Sequence, residues 1–255
     1  MPSSTTRSIL LAVTAAVALC APVHAADEAR ELVERVAAAV PDVPFRAELT
    51  LTTAGDLQRE LTISGAPLED GGEARFIEVQ APFNIKDTRY LLLEREKGRD
   101  EQFFYLPTMQ RVMRLSEVTR REPFLGSTFY IVDLLQPSVD EYRYAFVGNA
   151  TLEGRKCRLV EARPVNPADQ LYGRTVWAID PEDLVVVRAD LFDADDEPFK
   201  RLYVEELELI DDHWTPMRQR MVNRRDGSSS LLETVEIEYD AELPEEIFTV
   251  GHLGR

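Results

Sequence analysis

Residues Arg174–Asn223 read RTVWAIDPEDLVVVRADLFDADDEPFKRLYVEELELIDDHWTPMRQRMVN, and their pattern decides the fold. Four extended runs (Arg174 to Ile179, Leu184 to Phe192, Phe199 to Leu209, His213 to Asn223) are separated only by short turn sequences. Thr175, Trp177 and Ile179 share one side of the first run. Phe199, Arg201, Tyr203, Glu205 and Leu207 share one side of the third. Such alternation between turn signals marks antiparallel strands, because successive side chains in a strand point to opposite faces. Asp193 to Pro198 and Asp211-Asp212 supply the turns, since Asp tolerates left-handed backbone and hydrogen-bonds its own chain.

Working outward, the pattern continues in both directions. Ser230 to Tyr239 follows the turn Arg225-Asp226-Gly227-Ser228, while Tyr142 to Val147 and Lys156 to Arg163 precede the quoted stretch. Further upstream lie Phe45 to Thr53, Leu57 to Ser64, Arg75 to Ala81 and Asp87 to Glu94. Phe103 to Leu106 and Arg111 to Leu115 flank Pro107-Thr108 and predict a hairpin. About a dozen strands are too many for a flat open sheet, which would curl or split. The expected class is mainly β, with no internal repeat and no low-complexity linker. One helix is predicted, Asp27 to Val40, from the spacing of Leu32, Val33, Val36 and Val40; Pro41 and Pro44 stop it.

The N-terminus carries the pattern of a signal peptide over residues 1–25. Arg7 gives a positive start, Ile9 to Ala21 is apolar apart from Thr14, and Val23-His24-Ala25 fits a cleavage site before Ala26. The apolar run of about 13 residues falls short of the roughly 20 that span a bilayer, so no stable membrane insertion is expected after cleavage. Cys20 suggests a lipoprotein alternative, but Leu19 stands where a small residue is expected. Residues 26–255 then form a single expected domain. Without Cys20, Cys157 has no partner for a disulfide, and its alternating context predicts a buried, inert thiol.

The formal net charge is −17, and loss of residues 1–25 removes Arg7 and no acid, giving −18. A surface so acidic repels phosphate backbones and anionic bilayers, which argues against nucleic acid as a partner and against peripheral membrane binding. His213 and His252 have no ligands at metal spacing, and no Gly-rich phosphate loop, G-x-S-x-G or H-E-x-x-H occurs. Asp193, Asp195, Asp196 and Glu197 lack the glycine and distal glutamate of a helical calcium loop and are expected as a solvated hairpin tip. No catalytic residue, metal or cofactor is expected.

The segment Arg120 to Pro137, RREPFLGSTFYIVDLLQP, breaks the alternation yet is heavily apolar. Loops are normally polar because they cross the surface, so an apolar irregular segment is expected to cover something. Read as a movable cover over a ligand site, it predicts that Phe129→Asp lowers ligand binding with little change in melting temperature.

The motifs FFYLPTMQRVMR (Phe103 to Arg114) and PFLGSTFYIVDL (Pro123 to Leu134), followed by IDPEDLVVVRADLFD, FKRL and HWTPMR, resemble the LolA-like outer-membrane lipoprotein-sorting proteins over most of the chain after residue 25. That resemblance implies a curved, incomplete antiparallel β-barrel with an N-terminal helix and a covering apolar segment over an apolar hollow. It implies a periplasmic carrier or chaperone that binds lipid or lipoprotein acyl chains for transport towards the outer membrane. Tyr105, Met113, Phe124, Leu125, Phe129, Tyr130, Leu134, Leu135 and Trp177 are the candidate ligand-binding residues. Arg46, on the first strand after the helix, is the candidate that holds the cover. Two other readings stand beside the carrier. One is an accessory protein docking on an inner-membrane lipid transporter without carrying ligand; the other is a hydrolase with an unrecognised site.

Overall fold

The computed structural model describes residues 21–255 apart from 70, 96–99, 116–121 and 137. Residues 1–20, which hold most of the expected signal peptide and Cys20, lie outside the described residues, as do Arg120, Arg121 and Pro137. Helix α1 spans Ala21–Ala39, so it begins before the expected Asp27 and runs through the expected cleavage point. No helix among the described residues is long and apolar enough to cross a membrane.

Thirteen strands follow among the described residues. The first six are β1 (Phe45–Thr53), β2 (Leu57–Pro67), β3 (Gly72–Ala81), β4 (Arg89–Arg95), β5 (Glu101–Leu106) and β6 (Arg111–Arg114). The remaining seven are β7 (Tyr142–Leu152), β8 (Arg155–Pro164), β9 (Arg174–Asp180), β10 (Val185–Phe192), β11 (Pro198–Ile210), β12 (His213–Asn223) and β13 (Ser229–Tyr239). Each run expected from alternation is one of these strands, with ends shifted by a few residues. All pair antiparallel in one sheet, and β1 pairs with β13. The sheet is curved and unclosed, with β6 and β7 at its two edges. Register shifts in β1, β7, β10 and β11 concentrate the bending, since a bulge puts an extra residue on one strand and sharpens its twist.

This order explains the apolar irregular segment. The two edge strands are consecutive in sequence, so the connection from β6 to β7 travels from one edge of the sheet to the other. In a curled sheet the short route lies across the concave side, and a chain on that route meets the apolar inner faces of the strands. Phe124, Phe129 and Ile131 are buried there against Leu49, Leu51, Leu61, Val79, Leu191, Met221 and Leu232. Helix α1 covers the rest of the concave side, with Ala29, Leu32 and Val33 against Tyr144, Val160, Ala162 and Ile179.

The convex side is also partly covered. A short C-terminal helix, α2 (Val250–Leu253), seals Leu253 completely against Ala74, Phe76, Leu91 and Leu93. The alternation within β4 shows the two-sided burial directly: Leu92 belongs to the concave core and its neighbours Leu91 and Leu93 to the convex cluster. Cys157 is buried on the convex side beside Ala178 and Val187, and burial pushes its thiol up, away from the reactive thiolate. The acidic cluster is the β10–β11 hairpin tip. Asp193 accepts the backbone N–H groups of Asp195 and Glu197, and Asp196 pairs with Arg174 and Arg163.

Candidate ligand-binding hollow

Between α1, the covering segment and strands β9–β13 lies a cavity of about 560 Å³. Its walls are mainly apolar. Val33 and Val36 come from the helix, Leu134 and Leu135 from the cover, and Trp177, Leu202, Trp214 and Ile237 from the sheet. The volume falls within the range of small-molecule pockets, roughly 300–1,000 Å³. Trp177 stands in an aromatic wall with Tyr142 and Tyr144, at ring separations of 6.5 and 6.0 Å. Burial first of all raises both phenols, Tyr142 to about 12, so both are neutral at any ordinary pH, and Tyr144 lines the cavity.

The covering segment divides into two parts. From Phe124 to Tyr130 it is a tight knot: the Phe124 N–H donates to the Phe129 carbonyl at 2.7 Å, and Ser127 Oγ donates to the Phe124 carbonyl at 2.7 Å. Thr128 bolts the knot to the sheet. Its N–H donates to Ser230 Oγ at 3.0 Å and its hydroxyl to the Met221 carbonyl at 2.8 Å. From Asp133 to Gln136 the segment lines the cavity. Asp133 anchors the junction. Its carboxylate receives Lys200 Nζ at 3.1 Å, Tyr172 Oη at 2.6 Å and the Tyr130 N–H at 2.8 Å. Lys200 sits 3.3 Å from the centre of the Tyr130 ring, and only 1% of its side chain is exposed. Burial lowers its pKa and the carboxylate opposes that shift.

At the cavity wall the cover is held from β3 and β4. Arg75 donates both Nε and Nη2 to Glu73, at 2.7 and 2.6 Å, and its Nη1 to the Leu134 carbonyl. Glu94 lies directly opposite Glu73 across the strand pair, near the Gln136 backbone of the cover, which favours its ionised form. Burial raises Glu94 to about 7; Arg75 pulls against that, while Glu73 and Asp100 add to it.

The sign of the resulting pH dependence follows from linkage. The folded pKa lies above the ordinary 4.5, so the folded state disfavours the ionised form. Stability contributed by neutral Glu94 is present below about pH 4.5 and is lost as pH rises to about 7, a loss of roughly 3 kcal/mol. Glu94→Gln is expected to remove this loss. Urea unfolding at pH 5 and pH 8 measures it, and equal pH slopes for the two proteins would contradict the assignment.

Of the nine candidate residues, Leu134, Leu135 and Trp177 line the cavity. Phe124 and Phe129 are buried in the concave core, Leu125 packs against it, and Tyr130 faces Lys200. Met113 pairs with Phe104 at the β6 edge of the sheet and does not line the cavity. Tyr105 is on the convex face, in the cluster under α2 and beneath the Arg89 guanidinium. Arg46 is exposed, while Arg75, Lys200, Tyr172 and Ser230 reach the cover with their side chains. The period-two pattern marked Leu202 and Ile237 as strand residues but left open which face they take. No signal in the sequence marked Lys200 and Asp133 as partners, since the pair spans 67 residues.

A curved, unclosed sheet covered on its concave side by a helix and an edge-to-edge segment, with an apolar cavity between them, is the LolA-like fold. The profile of a family described as an uncharacterized protein matches residues 71–255, and the chain belongs to that family. Among solved structures, a DUF1329 family protein from Desulfovibrio piger is 25% identical, with TM-score 0.85 over 90% of this chain and 99% of that one. An outer membrane lipoprotein-sorting protein domain from Vibrio parahaemolyticus is 23% identical, with TM-score 0.84 over 90% of this chain and 100% of that one. A LolA superfamily protein from Nitrosomonas europaea is 15% identical, with TM-score 0.66 over 88% and 98%. No curated protein matches the chain in sequence.

Proposed function

We propose that this protein is a periplasmic carrier that holds lipid or lipoprotein acyl chains in the hollow, on their way towards the outer membrane. Residues 1–25 act as its signal peptide, and residues 26–255 form its single binding domain. The cavity of about 560 Å³ carries this reading. Its cationic lining residue, Arg75, is already committed to Glu73 and to the cover, so the hollow offers apolar surface rather than a site for an anionic group. An acyl chain needs nothing more. Each buried CH₂ is worth about 0.8 kcal/mol, so a 16-carbon chain gains on the order of 10 kcal/mol on leaving water. An adaptor that carried nothing would have no use for such a hollow, which favours carriage over docking on a transporter alone.

The test is direct. Organic extracts of protein purified without detergent are expected to contain lipid by mass spectrometry. Leu202→Trp, which fills the cavity from β11, is expected to weaken binding of a fluorescent fatty-acyl probe at least ten-fold while the protein stays folded. Clean extracts together with unchanged probe binding in Leu202→Trp would overturn the carrier reading.

A further inference from the structure

The antiparallel register sets the turns β1–β2, β3–β4 and β5–β6 side by side on one rim of the sheet. Each presents one large apolar side chain to solvent: Leu57 at 60% exposure, Phe83 at 94% and Met109 at 57%. Phe83 is displayed by an ordered turn rather than a loose one. The Ile85 N–H donates to the Pro82 carbonyl at 3.1 Å and the Asp87 N–H to the Val79 carbonyl at 2.9 Å, while Ile85 packs inward on the core. Leaving a phenylalanine almost wholly in water is costly and has no structural return here, because nothing among the described residues packs against it.

We infer that these three turns form a docking rim for a zwitterionic lipid bilayer, with Phe83 as its central anchor. Three observations select a bilayer over a protein partner. Successive hairpins lie about 10 Å apart, so the apolar tips are separate prongs and not a continuous patch. A specific protein interface needs more than about 1,000 Å² of fitted surface, which prongs do not provide, whereas a fluid interface closes around each tip. The local charge also fits: the three turns carry Asp56, Asp87 and Lys86, and Arg111 opens β6 beside the third, a nearly balanced stretch within a protein of net charge −17. Elsewhere the acidic surface resists approach to a membrane, so contact is confined to this rim and its orientation is fixed.

The orientation has a consequence. The cavity reaches the opposite rim, where Pro41, Asp183 and Asp212 line it. Docked by Phe83, the protein turns that end of the hollow away from the bilayer, towards a second partner.

Flotation of the full chain with vesicles of phosphatidylcholine and phosphatidylethanolamine tests the rim, with phosphatidylglycerol added in a second arm. The wild type is expected to float with the zwitterionic vesicles, and Phe83→Asp to lower the floated fraction at least five-fold, with a smaller loss in Met109→Asp. Emission added by Phe83→Trp is expected to be quenched by brominated acyl chains. Fatty-acyl probe binding in solution is expected to be unchanged in Phe83→Asp, so failure of the rim and failure of the carrier reading are told apart. Absence of flotation, flotation only with phosphatidylglycerol, or full flotation of Phe83→Asp each overturns the proposal.

Discussion

Phe129→Asp is expected to unfold the protein. The side chain is 3% exposed, in the core where the covering segment meets β1, β2, β12 and β13. Removing a buried phenylalanine costs about 3–5 kcal/mol, and a carboxylate in its place adds a desolvation penalty or must take up a proton. Whole-domain stability is typically 5–15 kcal/mol, so the change removes a large part of it. This reverses the expectation from sequence, under which Phe129 touched ligand and its loss left the melting temperature nearly unchanged. The hydrogen bonds of Thr128 to Ser230 and Met221 are the reason: the knot is part of the core, and only the stretch from Asp133 onward borders the hollow. Circular dichroism melting decides it, with Phe83→Asp as the exposed control; a Phe129→Asp protein melting within a few degrees of wild type would favour ligand contact at Phe129.

The second large effect is expected at Asp133. Asp133→Ala leaves the Lys200 ammonium buried with aromatic faces but no counter-charge, and stranding a buried ion costs about 3–5 kcal/mol. Lys200→Met is expected to cost less, because Asp133 keeps the donors Tyr172 and the Tyr130 N–H. The double variant is expected to be more stable than Asp133→Ala alone, since it removes the orphaned charge. A double-mutant cycle by urea unfolding measures the coupling; additive losses would show that the two side chains do not act as a pair. In Asp133→Ala, burial already lowers the Lys200 pKa, so the neutral amine is favoured in the folded state. Its stability is therefore expected to rise with pH up to the ordinary lysine value of about 10.5. The pair also bears on the hollow, because Asp133 is the point at which the cover passes from fixed core to cavity wall.

The sequence by itself determined the strands. Period two and turn chemistry are local properties, so Arg174–Asn223 declared four strands without reference to anything distant, and the same reading found the other nine. It also showed that Phe124 to Leu135 had to lie against something, because apolar residues in irregular backbone demand a covering role. Which face each strand turned to the hollow was not legible. Both sides of β4 are buried, one by the cover and one by α2, so alternation of apolar and polar residues gives no phase there. Tyr105 and Phe104 are neighbouring aromatic residues on opposite faces, and only the pairing with β4 and the packing of the C-terminal helix separate them. The cover-holding residues were hidden for a related reason. Arg46 was a guess from position, whereas Arg75 reaches Leu134 across 59 residues and Lys200 reaches Asp133 across 67. Those distances close only when β1 pairs with β13 and the β6–β7 connection is forced across the concave face, which makes the site a property of topology.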